Sequence, residues 1–276
     1  MNVYRQPGNY IEVEPGVEIY YEEKGTGTPI VFVPGWTFTT EAFVHQIEHF
    51  SKTHRVIAID PRSQGRSSIT LHGNDYTTHA ADLAKIIKAL DLQDVVLVGW
   101  SFGCLETWGY VKQEGTKALK AMVCIDLSPK PLSVNPEDWV EGPLDEIADA
   151  YNSFLLSRKG QRDFVTYYAD EIMVQRELSQ EEMFWIVEQS LKTPPYIASA
   201  LFASGMFTNN MAEAKLVDET LPAFSIIAEH WANTAVSFMQ KHFPKTKTAV
   251  LGGHMMFWEH PEKFNQILAD FIASVQ

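Results

Sequence analysis

The chain has 276 residues, of which 45% are hydrophobic and 21% are charged, so it can bury the core of one compact domain with room for an inserted subdomain. Its formal net charge of −13 argues against nucleic acid or an anionic membrane as main partner, because both bind clustered lysine and arginine. Its 2 cysteines exclude a disulfide framework, and no cysteine or histidine cluster has zinc-ligand spacing.

The amino-terminal segment contains no basic region followed by an apolar one, so we expect no secretory signal. No apolar run reaches the roughly 20 residues that are needed to cross a bilayer. We therefore expect a cytoplasmic protein that makes no membrane contact.

Short apolar runs rich in β-branched residues predict strands at Val17–Tyr21, Ile30–Val33, Arg55–Ile59, Val95–Val98, Ala121–Ile125, Ala223–Ile227 and Thr248–Leu251. The run at 95–98 does not alternate with polar residues, which is typical of strands covered on both faces of a parallel sheet. Helical patterns lie between the runs, at about 41–50, 78–90, 103–113, 233–242 and 261–273. This alternation predicts an α/β fold with a mostly parallel central sheet flanked by helices.

The alternation stops in the middle of the chain, where helical patterns replace it. One of these helices is expected to start at a capping box formed by Ser179 and Glu182. A helical insertion of about 90 residues between two strands would cover the carboxyl ends of the strands, where open α/β sheets bind ligands. We therefore expect a core of residues 1–128 and 219–276, with a helical cap of residues 129–218 inserted in it.

The sequence Gly99-Trp100-Ser101-Phe102-Gly103 follows the buried strand pattern and precedes a helical one. This is Gly-x-Ser-x-Gly in the strand–turn–helix context of a nucleophilic serine. A strained turn makes the Ser101 hydroxyl protrude, and the amides that open the helix can stabilise an oxyanion. Cys104 lies in the same helical pattern, and we expect it to be a small buried residue.

A serine hydroxyl is a weak nucleophile without a base. His254 follows the last apolar strand in Leu251-Gly-Gly-His254 and precedes the final helical pattern, so we predict that it is the base. The alternative, His260, stands directly before a proline and a helix. That context is typical of a residue at the start of a helix.

With these motifs the chain resembles the α/β-hydrolase superfamily, and most closely its non-haem chloroperoxidase-type serine esterases. The sequence Val33-Pro-Gly-Trp36 resembles the turn that follows the third strand of that family, and the stretch 60–67 resembles its Asp-x-Arg-Gly-x-Gly-x-Ser turn. The resemblance implies the α/β-hydrolase fold with a cap. It also implies an oxyanion hole made by the backbone N–H groups of Trp36 and Phe102.

The third member of the triad is where the sequence departs from the family. Relatives carry the acid after the strand that follows the cap, and Trp231 stands at that place here. A carboxylate is still needed to hold the imidazole in one tautomer. Asp126, at the end of the strand after the nucleophile strand, is the favoured acid. Glu229 is the alternative, and a site without a functional acid stays open.

Several aromatic and thioether side chains suggest a pocket for an apolar acyl or aryl group. The candidates are Trp36, Phe38, Trp100, Phe102, Met206, Phe207, Trp231, Met255 and Trp258. We predict a carboxylesterase-type serine hydrolase that cleaves a small-molecule ester or lactone through an acyl-enzyme. No metal or organic cofactor is implied, and the family resemblance implies perhydrolysis as a side activity.

Dehalogenases and epoxide hydrolases of this superfamily use an aspartate where this chain has Ser101, so these activities are excluded. A C–C bond hydrolase with the same triad and a non-catalytic small-ligand receptor on the same fold stay open. The oligomeric state is also open. Asp60, Arg62 and Arg66 are expected to form a structural ion-pair network rather than a site.

Overall fold

The computed structural model describes residues 8–275 and is built around one eight-stranded sheet. The strands are β1 (Asn9–Glu14), β2 (Val17–Lys24), β3 (Pro29–Val33), β4 (Arg55–Ile59), β5 (Val95–Trp100), β6 (Leu119–Ile125), β7 (Ala223–Ile227) and β8 (Lys247–Val250). Their order is β1-β2-β4-β3-β5-β6-β7-β8. Strand β2 pairs antiparallel with both of its neighbours and the other pairs are parallel, so the predicted α/β fold with a mostly parallel sheet is confirmed.

Helices cover both faces of the sheet. They are α1 (Val44–Phe50), α2 (Tyr76–Ala89), α3 (Gly103–Glu114), α4 (Leu144–Phe154), α5 (Arg158–Tyr168), α6 (Gln180–Ser190), α7 (Pro195–Met206), α8 (Met211–Thr220), α9 (Ala232–His242), α10 (Met256–Glu259) and α11 (Pro261–Ala273). A π-helical turn, Ala169–Met173, follows α5. A hydrophobic core lies on each face of the sheet. Because side chains alternate along a strand, Val31 and Val33 of β3 pack in one core, and Ile30 and Phe32 pack in the other.

Strand β1 was not predicted, because its sequence carries no apolar run. Within residues 8–275 it forms the edge of the sheet with β2 as its one neighbour, and Val13 is the one buried residue among its six. An edge strand with one solvated face needs few apolar side chains, so its pattern is weak. The last strand is shifted by one residue from the predicted Thr248–Leu251.

Helices α4 to α8 and the π-helical turn lie between β6 and β7, and the structure describes no strand there. The expected cap, residues 129–218, begins in the loop after β6 and ends within α8; we call it the cap segment. The capping box of Ser179 and Glu182 is present at the start of α6. Within residues 8–275, none of the helices combines the length and the apolar content that a membrane crossing requires.

Arg62 is buried at the edge of the sheet with two acidic partners. Its guanidinium donates to both Asp82 carboxylate oxygens at 2.7 and 3.0 Å, and to Glu14 at 2.6 Å. Asp60 belongs to a different arrangement, since its carboxylate accepts two backbone amides, one of them from Arg66 at 2.8 Å. The three residues are therefore structural, but they form two separate clusters rather than one network.

Replacing Arg62 by methionine is expected to lower the free energy of unfolding by about 3–5 kcal/mol, because the buried Asp82 carboxylate would lose both of its guanidinium hydrogen bonds and keep only the more exposed Lys85 ammonium, 3.8 Å away. Urea denaturation measures this change. The matched control is Arg162→Met, which removes an exposed ion pair with Glu188 (2.8 Å) and should cost less than about 1 kcal/mol. Equal losses in the two variants would contradict the buried-charge explanation.

Candidate active site

Ser101 occupies the turn between β5 and α3, in the left-handed region at φ 52°. A serine rarely adopts this conformation, so the turn is strained. Its backbone N–H donates to Ile125 O at 2.8 Å, and its carbonyl accepts Cys104 N–H at 2.8 Å. The glycines near Ser101 stand where a larger residue would clash. A methyl group on Gly103 would lie 2.3 Å from Val33 O, and one on Gly35 would lie 2.9 Å from Ser101 Cβ.

Asp126 and His254 are in direct contact. Asp126 follows β6, and its Oδ2 lies 2.6 Å from His254 Nδ1, while its Oδ1 accepts the backbone N–H of Ala228 at 2.8 Å. Both side chains are buried. This arrangement favours the tautomer with the proton on Nδ1, which leaves Nε2 free to accept one.

The alternative residues lie elsewhere. The side chain of Glu229 is exposed, and its carboxylate accepts a hydrogen bond from Gln175 Nε2 at 3.2 Å. Trp231, at the position of the family's usual acid, lines the cavity that also contains Ser101 and His254. His260 is the residue directly before α11, and its Nε2 lies 3.8 Å from the Glu259 carboxylate.

The two residues expected to form the oxyanion hole line the same cavity as Ser101. Neither the Trp36 nor the Phe102 backbone N–H donates to another group within the described part of the chain. Phe102 precedes the first turn of α3, whose amides carry partial positive charge. The Trp36 side chain reaches the cap segment, where its Nε1 donates to Ala198 O at 2.7 Å. Both amides are therefore free to bind an anion.

Three hydrogen bonds join the backbone of His254 and Met255 to the nucleophile strand and to the cap segment. Trp100 Nε1 donates to His254 O at 2.9 Å, and Trp100 directly precedes the serine. His254 N–H donates to Ile172 O at 3.0 Å, and Met255 N–H donates to Met173 O at 2.7 Å. The nucleophile strand and the π-helical turn of the cap segment thus fix the imidazole together.

Replacing Trp100 by phenylalanine is expected to lower kcat for an ester about fivefold, because the lost hydrogen bond contributes about 1 kcal/mol to the position of the His254 loop. The measurement is kcat together with the pH profile of the reaction. The matched control is Trp139→Phe, since Trp139 is also buried but its Nε1 has no partner among the described residues. Equal kcat values in both variants would show that the Trp100 indole does not position the base.

The cavity has a volume of about 300 Å³. Six of the predicted lining residues border it: Trp36, Phe38, Trp100, Phe102, Met206 and Trp231. The prediction was wrong for Phe207, which is 72% exposed, and for Met255, which is fully buried in the core. It was also wrong for Trp258, whose ring stacks on Trp185 at 5.4 Å, outside the cavity.

Sequence reasoning did not assign several of the side chains that line this cavity, and four of them matter for its chemistry: Phe164, Tyr168, Phe202 and Glu141. Phe164 and Tyr168 lie on α5 and Phe202 lies on α7. The sequence pattern predicted that Phe164 and Tyr168 share one face of a helix. It did not indicate that this face lines the cavity. Glu141 lies in the loop before α4 and gave no signal, because a single glutamate in a loop is ordinarily solvated.

Acidic residues outnumber basic ones among the titratable groups in and beside the cavity. Burial and the nearby Asp126 carboxylate raise the pKa of Glu141 to about 8, although a hydrogen bond from the Ser128 backbone partly offsets this. Burial, Glu141 and Asp126 raise the pKa of Tyr168 well above its ordinary value. Burial also raises the pKa of Cys104, so its thiol stays protonated and unreactive.

A family model described as alpha/beta hydrolase fold matches residues 28–261. The chain is 35% identical over 147 residues to the non-heme chloroperoxidase CPO-A1 of Kitasatospora aureofaciens, and this match covers 53% of each chain. It is 31% identical over 155 residues to the bifunctional esterase/perhydrolase DCH of Acinetobacter calcoaceticus, and this match covers 55% of this chain and 56% of that one.

These two sequence matches span only about half the length of each relative. The fold similarity extends further. The crystal structure of a bromoperoxidase from Bacillus anthracis aligns with a TM-score of 0.85 at 22% identity and covers 97% of this chain and 100% of that chain.

Proposed function

The chain belongs to the alpha/beta hydrolase fold family, and on that premise we propose that it is a serine hydrolase that cleaves a small-molecule ester or lactone. The observation that carries the proposal is the 2.6 Å contact between His254 Nδ1 and Asp126 Oδ2, together with the cavity that both His254 and Ser101 line. A second support is the pair of free amides, from Trp36 and Phe102, in the same cavity.

In the proposed reaction, Ser101 Oγ attacks the carbonyl carbon while His254 Nε2 takes the hydroxyl proton. The Trp36 and Phe102 amides stabilise the negative charge on the carbonyl oxygen. His254 then gives the proton to the leaving alcohol, and the acyl group stays on Ser101. Water attacks this ester with His254 again as base, which releases the acid and restores the serine. Asp126 holds the imidazole throughout and balances its charge.

The lining of the cavity supports a substrate with an apolar acyl or aryl group. Most of the side chains that border it are aromatic or aliphatic, and its volume suits a small molecule. A peroxide that replaces water in the second step would give a peracid. The similarity to a protein named esterase/perhydrolase supports this side activity.

Covalent labelling tests the proposal. Incubation with a fluorophosphonate should add one phosphonyl group to the peptide that contains Ser101, and 4-nitrophenyl esters from acetate to octanoate should be hydrolysed. The urea-unfolded protein is the control and should not be labelled, because serine reactivity depends on the folded site. Absence of both labelling and turnover would favour a non-catalytic receptor.

A further inference from the structure

The active-site cavity contains an acidic side chain that the proposed reaction does not use. We propose that Glu141 is the counter-ion for a positively charged group of the substrate, and that the enzyme prefers esters which carry an ammonium group. This inference rests on the proposed serine hydrolase function and names the substrate class for the same site.

The position of Glu141 is fixed by the fold. The residue lies between β6 and α4, where its backbone N–H donates to Pro131 O at 2.9 Å. It lines the same cavity as Ser101 and His254, and Glu146 on α4 lines it as well. Of the described residues that line this cavity, none is a lysine or an arginine. The lining therefore offers the Glu141 carboxylate no lysine or arginine to pair with.

The aromatic rings that line the same cavity as Glu141 also favour a cation. Phe164 packs against the Trp36 ring at 5.7 Å and against the Phe202 ring at 6.0 Å, and it stacks on Tyr168 at 5.9 Å. The faces of aromatic rings carry negative potential, and such groups of rings bind quaternary ammonium ions. A carboxylate on the substrate would instead approach Glu141 and Glu146, which line the cavity, and be repelled once they are ionised.

The titration of Glu141 gives the preference a pH dependence. Five titratable groups face it or share its cavity: Asp126 after β6, Glu146 on α4, Tyr167 and Tyr168 on α5, and His254 in its loop. Burial and Asp126 raise the pKa of Glu141 to about 8, so the proton must leave before the carboxylate can pair with a cation. The preference for a cationic ester should therefore increase as the pH rises through about 8.

The test compares acetylcholine with 3,3-dimethylbutyl acetate, which has the same shape but carries a neutral carbon in place of the ammonium nitrogen. At pH 8.5 we expect kcat/KM of the wild type to be at least about tenfold higher for acetylcholine. In Glu141→Gln this ratio should fall at least about tenfold. The matched control Glu137→Gln removes an exposed carboxylate from the same connection and should keep the wild-type ratio.

A ratio near one in the wild type, or a ratio that Glu141→Gln leaves unchanged, overturns the inference while the hydrolase function stands. If neither ester is hydrolysed, the cation site is tested without the reaction. Calorimetry then measures the binding of phenyltrimethylammonium and of its neutral isostere tert-butylbenzene. Binding of the cation alone, weakened at least about tenfold by Glu141→Gln, supports the charge site without the reaction. If the two probes bind equally well, or if neither binds, the inference is overturned.

Discussion

Replacement of Ser101 by alanine is expected to reduce kcat for 4-nitrophenyl butyrate by about 10⁴-fold or more, because it removes the atom that forms the acyl-enzyme. The neighbouring thiol cannot take over this role. Cys104 is fully buried, and its Sγ lies 3.2 Å from Gly99 O, to which it donates. The remaining rate should be that of catalysis by the oxyanion amides and substrate binding alone.

The matched control for this variant is Ser225→Ala. Ser225 is also buried, but it lies on β7 and its hydroxyl has no partner among the described residues. We expect its kcat to stay within about threefold of the wild-type value, since surroundings and not the residue type make a serine reactive. A Ser101→Ala enzyme that keeps more than a tenth of the wild-type kcat would exclude Ser101 as the nucleophile.

Replacement of Asp126 by asparagine is expected to lower kcat by about 10³–10⁴-fold, a loss comparable to that of the equivalent change in a serine protease. The reason is a forced change of tautomer. The carbonyl oxygen of the new side chain would keep the hydrogen bond from Ala228 N–H, which Oδ1 of Asp126 now accepts at 2.8 Å. The new NH₂ group would then face His254 Nδ1 as a donor. The imidazole proton would move to Nε2, which could no longer accept the serine proton.

Steady-state kinetics on the same ester measure this loss. The matched control is Glu229→Gln, which changes an exposed carboxylate that contacts Gln175, and it should leave kcat within about threefold of the wild-type value. A large loss in Glu229→Gln together with a small one in Asp126→Asn would move the acid to the loop after β7. Equal, small losses would indicate a site that works without a carboxylate.

Local sequence was enough to predict what depends on local structure. The strand–turn–helix context of Ser101 and the glycine loop before His254 are each contained in a few residues, so both candidates could be recognised. The choice between Asp126 and Glu229 could not be made in this way. It depends on which carboxylate the sheet brings beside the imidazole, and residues 126 and 254 are 128 positions apart.

The wrong lining residues have a common physical cause. Met255 was chosen because it follows His254 in sequence, yet its side chain enters the core, since consecutive residues in a turn point in different directions. Phe207, next to the lining residue Met206, fails for the same reason. Glu141 was missed because only the packing of the cap segment places a loop carboxylate in an aromatic cavity.

The bonds that join the π-helical turn to the histidine loop limit how the cap segment can be redesigned. Both bonds use main-chain atoms of residues 172 and 173, so most side-chain changes there leave them intact. A deletion of one residue from that turn would move the acceptors out of register and release the base. Gly253 adds a second constraint, because a methyl group there would lie 2.6 Å from Met173 O. A foreign cap grafted onto this core must therefore keep the main-chain course of one turn, whatever else it changes.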